Sequence, residues 1–315
     1  MKKILLLITV LFIPLLISSC ANRQNPPSQP ALEAVIQEER LDKTLNAFTA
    51  LNISGPFEVK LKQSNRHQVT LTGPSHLINQ IQLEEINEVL LLSLPYEALS
   101  GQIAVIRAEI SAPHIHEVLL DGTQGFTAEK FDSEVIALKL NNFNYANFSG
   151  QLGVRALEIT GEGRLTLQGI SSQTLNIAAS GNSHLELRGM ANIGTLTFSD
   201  NATVDMYWLD SPQLIIRGSG QAVARLAGIV GVMHADLTQN AYLDARALRT
   251  KEAYVKAFDH SNAEITVLDI QNVLASNSST VYFHKNSGLM NNFMAYEGSV
   301  LDVDGLWAED PAYHY

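Results

Sequence analysis

The chain has 315 residues, of which 46% are hydrophobic and 17% charged, and its formal net charge is −11. Such a composition excludes a disordered chain, because there is enough apolar surface to build a core. The negative charge excludes a broad electrostatic contact with nucleic acid, so no nucleic-acid partner is expected.

Residues 1–19 have the pattern of a secretory signal peptide. Lys2 and Lys3 precede an apolar run that is too short for a comfortable membrane span. The run ends in LISSC, where Cys20 is the single cysteine of the chain. The alternative interpretation of this segment is an ordinary cleaved signal, or a tail-less membrane anchor, with an incidental cysteine.

The stretch around Cys20 resembles the lipobox of bacterial lipoproteins. That resemblance implies cleavage after Ser19 and attachment of acyl chains, such as palmitate, to Cys20. Several acyl chains would anchor the protein firmly in a membrane. Ala21 after the cysteine resembles outer-membrane sorting, so we expect a lipid-anchored protein of the cell envelope, facing either the periplasm or the cell surface.

Two further regions precede the repeats. Residues 20–33 combine the lipidated cysteine with a proline-rich tether. Residues 34–112 alternate apolar and polar residues in short runs, which predicts a β-rich region. Within it, residues 75–87 have the spacing of a short helix.

Residues 113–306 repeat a single pattern in which alternating residues are interrupted by small or polar breaks. The breaks centre on Gly122, Asn142, Gly161, Gly181, Asp200, Gly220, Gln239, Asp259, Asn277 and Glu297. Their spacing of 18–20 residues indicates a repeat architecture. Positions two and four before each centre, and four and six after it, are apolar throughout except at Gly218.

This pattern predicts an all-β fold, a right-handed parallel β-helix or β-solenoid with coils of about 19–20 residues. A third inward residue is expected nine positions after most centres, at Phe131, Ile170, Met190, Leu209, Ile229, Leu248, Leu268 and Leu306. Residues 307–315 would form a C-terminal cap, with Trp307 covering the open end of the solenoid.

The segment FTALNISGPFEVKLKQ and the later IRAEISAPHIHEVLLDGTQGF resemble the "putative auto-transporter adhesin head GIN domain" family. The glycine-centred Ser-Gly-Asn turns fit the same family. The resemblance implies a β-helical, exported and often lipid-anchored bacterial protein without established catalytic residues.

Outward positions of the predicted coils hold charged residues that stacking would align in columns. One column holds Glu186, Asp205, Arg225, Asp244 and Glu264, flanked by Arg188, Tyr207 and Arg246. This candidate binding face could bind a sugar or a cation, or carry acid-catalysed glycan cleavage. A solvated face of partly paired charges is the alternative.

The sequence gives little indication of a metal, cofactor or catalytic site. His114 and His116 could face one way on a strand, but a metal site needs further ligands, so no metal is predicted. We predict no cofactor and no catalytic residue. The leading hypothesis is a non-enzymatic, adhesin-like module for a glycan or protein, and the alternatives are a glycan lyase or hydrolase and a structural envelope component. Oligomeric state is left open.

Overall fold

The computed structural model describes residues 37–95, 105–284 and 290–303. The predicted signal peptide, Cys20, the tether and the C-terminal cap lie outside the described residues, as does Leu306. No helix among the described residues has both the length and the apolar character needed to cross a membrane.

The chain forms a β-solenoid of about nine turns, with coils of roughly 20 residues, which confirms the predicted fold class. Its elements are β1 (Glu38–Thr44), β2 (Ala50–Ser54), β3 (Phe57–Gln63), β4 (Gln68–Pro74), α1 (Ser75–Ile78), β5 (Gln82–Ile86), β6 (Val89–Ser93), β7 (Ile106–Ala112), β8 (Glu117–Asp121), β9 (Gly125–Ala128), β10 (Ser133–Asn141), β11 (Tyr145–Thr160), β12 (Glu162–Ala179), β13 (Asn182–Phe198), β14 (Thr203–Gly218), β15 (Val223–Leu237), β16 (Tyr242–Ala257), β17 (Asn262–Ser276), β18 (Thr280–His284), β19 (Met290–Tyr296) and β20 (Ser299–Asp302).

From β10 to β17 each strand pairs in parallel with the next strand along the chain. The long strands run from one turn centre to the next, and the pairing shifts register partway along most of them. These shifts mark a second bend inside each coil, which separates the sheet after one turn centre from the sheet before the next.

All ten predicted turn centres adopt a left-handed backbone conformation, with φ between 46° and 75°. Glycine suits this conformation because it has no Cβ. Where the centre is not glycine, its side chain can compensate by bonding to the preceding coil. Asp200 accepts a hydrogen bond from the backbone N–H of Gly181 at 3.0 Å, and Asp259 accepts one from Gln239 at 3.2 Å.

The predicted inward columns form the core. At all four positions around each of the first nine centres the residue is buried. The last coil differs, because Phe293 is 57% exposed and Ala295 is also exposed. Its strands β19 and β20 pair with the preceding coil, and no further coil stacks on them among the described residues, so its inward residues are covered from one side only.

The prediction of a third inward residue is wrong at two positions. Phe131, Ile170, Leu209 and Leu248 are buried, and Leu268 is half-buried. Met190 and Ile229 point outward instead, and the residues that follow them, Ala191 and Val230, are buried in their place. The second bend lies eight residues after the turn centre in each case, but its φ is 137° at Gly189 and 141° at Gly228, against 81° at Gly169. This different backbone conformation exchanges the inward and outward positions of the residues that follow.

The N-terminal strands extend the solenoid in an order that differs from the chain order. Strand β2 pairs in parallel with both β6 and β8, and β3 pairs in parallel with both β7 and β9. The β2–β3 rung therefore lies between the β6–β7 rung and the first repeat. Strands β4 and β5 then pair antiparallel with β7 and β6, so the parallel stack ends there.

The predicted helix over residues 75–87 is only partly correct. Helix α1 covers Ser75–Ile78, and residues 82–86 form strand β5 instead. The antiparallel pairing of β5 with β6 explains the difference, because the partner strand satisfies backbone groups that a longer helix would have bonded internally.

Candidate functional site

The predicted column of charged residues forms on the sheet that follows each turn centre. Each residue is the register partner of the next, in the order Glu186, Asp205, Arg225, Asp244 and Glu264. Register partners on neighbouring strands are spaced ~4.8 Å apart, so the column is continuous across β13–β17. We name these five residues, together with Arg188 and Arg246, the charged ladder.

The flanking residues join the ladder in different ways. Arg188 is the register partner of Tyr207 on the next coil. Arg246 lies at a register shift between β16 and β17 and has no strand partner there. Its guanidinium reaches the ladder through ion pairs instead, with Asp244 in its own coil and Glu264 in the next.

Every carboxylate of the charged ladder is paired with an arginine of the same ladder. The N–O distances are 2.6 Å for Arg188–Glu186, 3.0 Å for Arg225–Asp205, 2.7 Å for Arg246–Asp244 and 3.1 Å for Arg246–Glu264. The carboxylate side chains are only 13–26% exposed, whereas the arginine side chains are 49–60% exposed. Guanidinium groups therefore form the outermost layer of the face, although acidic residues outnumber arginines in it.

The pairing changes the titration of the groups at one end of the ladder. The hydrogen bond from Arg246 holds the pKa of Asp244 below its usual value. The same interaction raises the pKa of Arg246. Beside them, burial raises the pKa of Tyr242 to about 12, helped by the hydrogen bond that its hydroxyl donates to Glu264 at 2.5 Å.

His184 adds an imidazole to the inner edge of the ladder. Its Nε2 lies 3.6 Å from the carboxylate of Asp205. Burial, followed by the charge of Arg164, lowers the pKa of His184, and these effects outweigh the opposite effect of Asp205. The imidazole is therefore neutral at pH 7 and leaves the charge of the ladder unchanged.

This arrangement suits recognition better than proton transfer. A general acid in glycan cleavage requires a carboxyl group whose pKa is raised. Asp244 has a lowered pKa, and each ladder carboxylate is engaged by a guanidinium. Ordered guanidinium groups, in contrast, are well suited to donate hydrogen bonds to oxygen atoms of a ligand.

The two histidines at the start of the first coil border a separate polar cleft. His114 and His116 are exposed and line this cleft of about 660 Å³ together with Gln63, Asp132 and Glu134. Within the described ranges, no group of three or more histidine, cysteine or acidic side chains is placed to hold a metal ion.

The structure also reveals an exposed cluster at the second bend of three successive coils. It consists of Met190, Tyr207, Trp208 and Ile229, which we name the aromatic corner. The sequence places Tyr207 beside the charged column, but the outward direction of Met190 and Ile229 follows from the backbone conformation at the second bend. The signal available in the sequence was a column of glycines at equivalent positions of neighbouring coils, in which Trp208 stands in place of a glycine.

We predict that the charge pairing makes a small, pH-dependent contribution to stability. Because the folded pKa of Asp244 is lowered, its contribution is present above the unfolded pKa of about 3.9 and is lost as the pH falls through the folded pKa. Arg246→Gln should therefore lower the free energy of unfolding by up to about 1 kcal/mol at pH 7, since the pair lies at the surface.

Urea unfolding of parent and variant at pH 7 and at pH 3 measures this effect. The difference between them should shrink at the lower pH. Arg249→Gln is the matched control, because Arg249 lies exposed on the same strand and pairs with no carboxylate among the described residues. An Arg246→Gln effect of the same size at both pH values would contradict the prediction.

Together, the fold and this surface define a β-solenoid protein that carries an arginine-covered, charge-paired face. A family profile described as "Putative auto-transporter adhesin, head GIN domain" matches residues 47–211, and the chain belongs to this family. The resemblance found in the sequence is thereby confirmed.

Solved structures of low sequence identity resemble the chain. A "putative adhesin" from Parabacteroides merdae is 15% identical, with 85% of this chain and 96% of that chain covered and a TM-score of 0.40. A "putative lipid binding protein" from Parabacteroides distasonis is 11% identical, with 84% and 96% covered and a TM-score of 0.49. A "putative adhesin" from the same species is 11% identical, with 85% and 97% covered and a TM-score of 0.43. No curated protein matches the chain.

Proposed function

We propose that this protein is an exported, lipid-anchored component of the bacterial envelope that binds a glycan or a protein without catalysing a reaction. Its membership of the adhesin family supports this role. The signal pattern and the cysteine at position 20 support export and anchoring, with an outer-membrane location favoured by Ala21. The binding surface is the charged ladder.

One observation carries the proposal: the ladder carboxylates lie beneath the ladder arginines and hold them in place. Arg188, Arg225 and Arg246 each donate to a carboxylate whose side chain is mostly covered and extends from a paired strand. A guanidinium that is ordered before binding loses less conformational entropy when a ligand arrives. The paired acids also reduce repulsion between neighbouring arginines, so several donors can occupy one face.

The spacing of the donors adds specificity. Arg225 and Arg246 belong to successive coils, and Arg188 lies two coils before Arg225. A ladder over five coils extends for ~20 Å, given a strand spacing of ~4.8 Å. The face therefore fits an elongated partner with repeated oxygen acceptors, such as the hydroxyl or carboxylate groups of a polymer chain.

Removing the arginines should weaken binding. In the full chain, we would replace Arg188, Arg225 and Arg246 together by glutamine and measure binding to an array of immobilised bacterial and host glycans and extracellular-matrix proteins. We expect at least a tenfold loss of affinity for the partner that the parent binds, since charge-assisted hydrogen bonds contribute most among polar contacts.

Arg107→Gln is the control for this experiment, because Arg107 is 67% exposed and lies on β7, away from the ladder. It should leave binding unchanged. If the triple variant bound as tightly as the parent, the ladder would not be the binding surface and the proposal would fail.

A further inference from the structure

The aromatic corner exposes four large side chains that the core does not use. The exposed fractions are 65% for Met190, 44% for Tyr207, 73% for Trp208 and 58% for Ile229. The residues come from β13, β14 and β15, which stack directly on one another. They therefore lie at the second bend of three stacked coils, at the outer edge of the ladder sheet.

Trp208 occupies a backbone position at which its neighbouring coils have glycine. Its φ is 75°, in the left-handed region. The equivalent bends hold Gly169, Gly189 and Gly228, all with positive φ. A residue with a Cβ is strained in this conformation, and an indole that is mostly in solvent gains little from burial. Trp208 is therefore unfavourable for the left-handed backbone at this position, and its indole does not contribute to the hydrophobic core.

The left-handed conformation of Trp208 also determines the directions of the neighbouring side chains at the aromatic corner. Along a regular strand Tyr207 and Trp208 would face opposite sides of the sheet. At this bend both side chains are exposed, and Leu209 then returns to the core. Two neighbouring aromatic side chains are consequently available to the same partner.

Polar groups lie beside these aromatic side chains. Arg188 is the register partner of Tyr207, and its side chain is 60% exposed. Asp210 is exposed and is the register partner of Ile229. A pyranose ring has an apolar face of C–H groups and a rim of hydroxyl groups. Aromatic side chains match the face, and a guanidinium and a carboxylate match the rim.

Two other classes of partner fit the corner less well. A stable protein complex covers ~800 Å² on each partner, which far exceeds four partly exposed side chains. A bilayer contact would place the carboxylate of Asp210, which pairs with no cation among the described residues, against lipid on a chain whose net charge is already −11. Burial of unpaired carboxylates is unfavourable, so the mixed chemistry favours a sugar.

We propose that Tyr207 and Trp208 form an aromatic platform for a pyranose unit of a glycan, with Arg188 and Asp210 bonding its hydroxyl or carboxylate oxygens. This inference rests on the proposed function and names the ligand class within it. The platform would bind one sugar at the corner while the ladder arginines contact the next units of the same polymer.

Fluorescence of Trp208 tests the proposal directly. The chain contains two tryptophans, so Trp307→Phe in the full chain leaves Trp208 as the single reporter. We would titrate this protein with dextran, galactomannan, xylan, polygalacturonate and alginate. At least one polymer should change the emission of Trp208 saturably, and the same polymer should bind by calorimetry to the parent chain.

Trp208→Gly separates binding from folding. Glycine suits the backbone at this bend, so the variant should be as stable as the parent, yet its affinity for the polymer should fall at least tenfold. Trp208→Phe should retain part of the affinity. Tyr254→Ala is the matched control, because Tyr254 is 38% exposed but stacks on His234 on the other sheet; its substitution should not alter binding.

Three results would overturn the proposal: no polymer of the panel changes the emission, Trp208→Gly binds as tightly as the parent, or only vesicles of brominated phosphatidylcholine quench Trp208. The last result would assign the corner to a membrane contact. If Trp208→Gly retains binding while the triple arginine variant loses it, the proposed function stands and this inference alone fails.

Discussion

Replacing Gly228 by alanine is expected to lower the free energy of unfolding by about 3 kcal/mol, through backbone strain and overlap. Gly228 has a φ of 141°, which L residues rarely adopt. A Cβ at this position would overlap the backbone carbonyl of Leu209 in the preceding coil. Neither group can move alone, because both belong to paired strands at the same bend.

Gly194→Ala provides the matched control for Gly228→Ala. A Cβ at residue 194 would meet its nearest neighbour, the side-chain oxygen of Asn176, at 3.4 Å, and the backbone there is not left-handed. Its substitution should change stability by less than about 1 kcal/mol. Urea unfolding of the three proteins, followed by circular dichroism, measures the difference. Equal losses for the two variants would contradict the role assigned to the second bend.

Phe198→Ala should cost about 3–5 kcal/mol, the largest effect that we predict for a single residue. Phe198 is fully buried. Its ring occupies the space beside Gly218, the single glycine in the inward columns, since a Cβ at residue 218 would lie 2.5 Å from the Cζ atom of Phe198. The large residue in one coil thus fills the gap that the small residue leaves in the next.

This explanation predicts coupling between the two positions. Gly218→Ala alone should cost about 1–3 kcal/mol through overpacking. Phe198→Leu shortens the opposing side chain, so the double variant should be destabilised by less than the sum of its two single substitutions. A double-mutant cycle by urea unfolding measures the coupling. Strict additivity would show that the two side chains do not share this space.

The charged ladder was predictable because it depends only on the repeat length and on the alternation of side chains. Once the turn centres are located, residues five positions after each centre must align. The layering within the ladder was not predictable in the same way. Whether Arg225 lies over Asp205 or extends away from it depends on rotamers and solvent exposure, which the spacing does not specify.

The aromatic corner illustrates a second limit. Met190 and Ile229 follow their turn centres by the same nine residues as the buried Leu209. The residue at the second bend lies eight positions after each of these centres, but its φ is near 140° at Gly189 and Gly228 and 75° at Trp208. This difference in backbone conformation reverses which of two adjacent apolar residues enters the core, and the spacing of the sequence does not specify it.

The sequence by itself determined the parallel stack, its period and the inward columns of the repeats. These features are encoded locally, by alternation along each strand and by residues that accept left-handed turns. Only the tertiary structure decided the insertion of β2 and β3 between later strands, the direction of the second bend and the placement of arginines over carboxylates. Each of these features depends on contacts between residues that are distant along the chain. Local preferences allow more than one arrangement at these places, and only tertiary packing selects one of them.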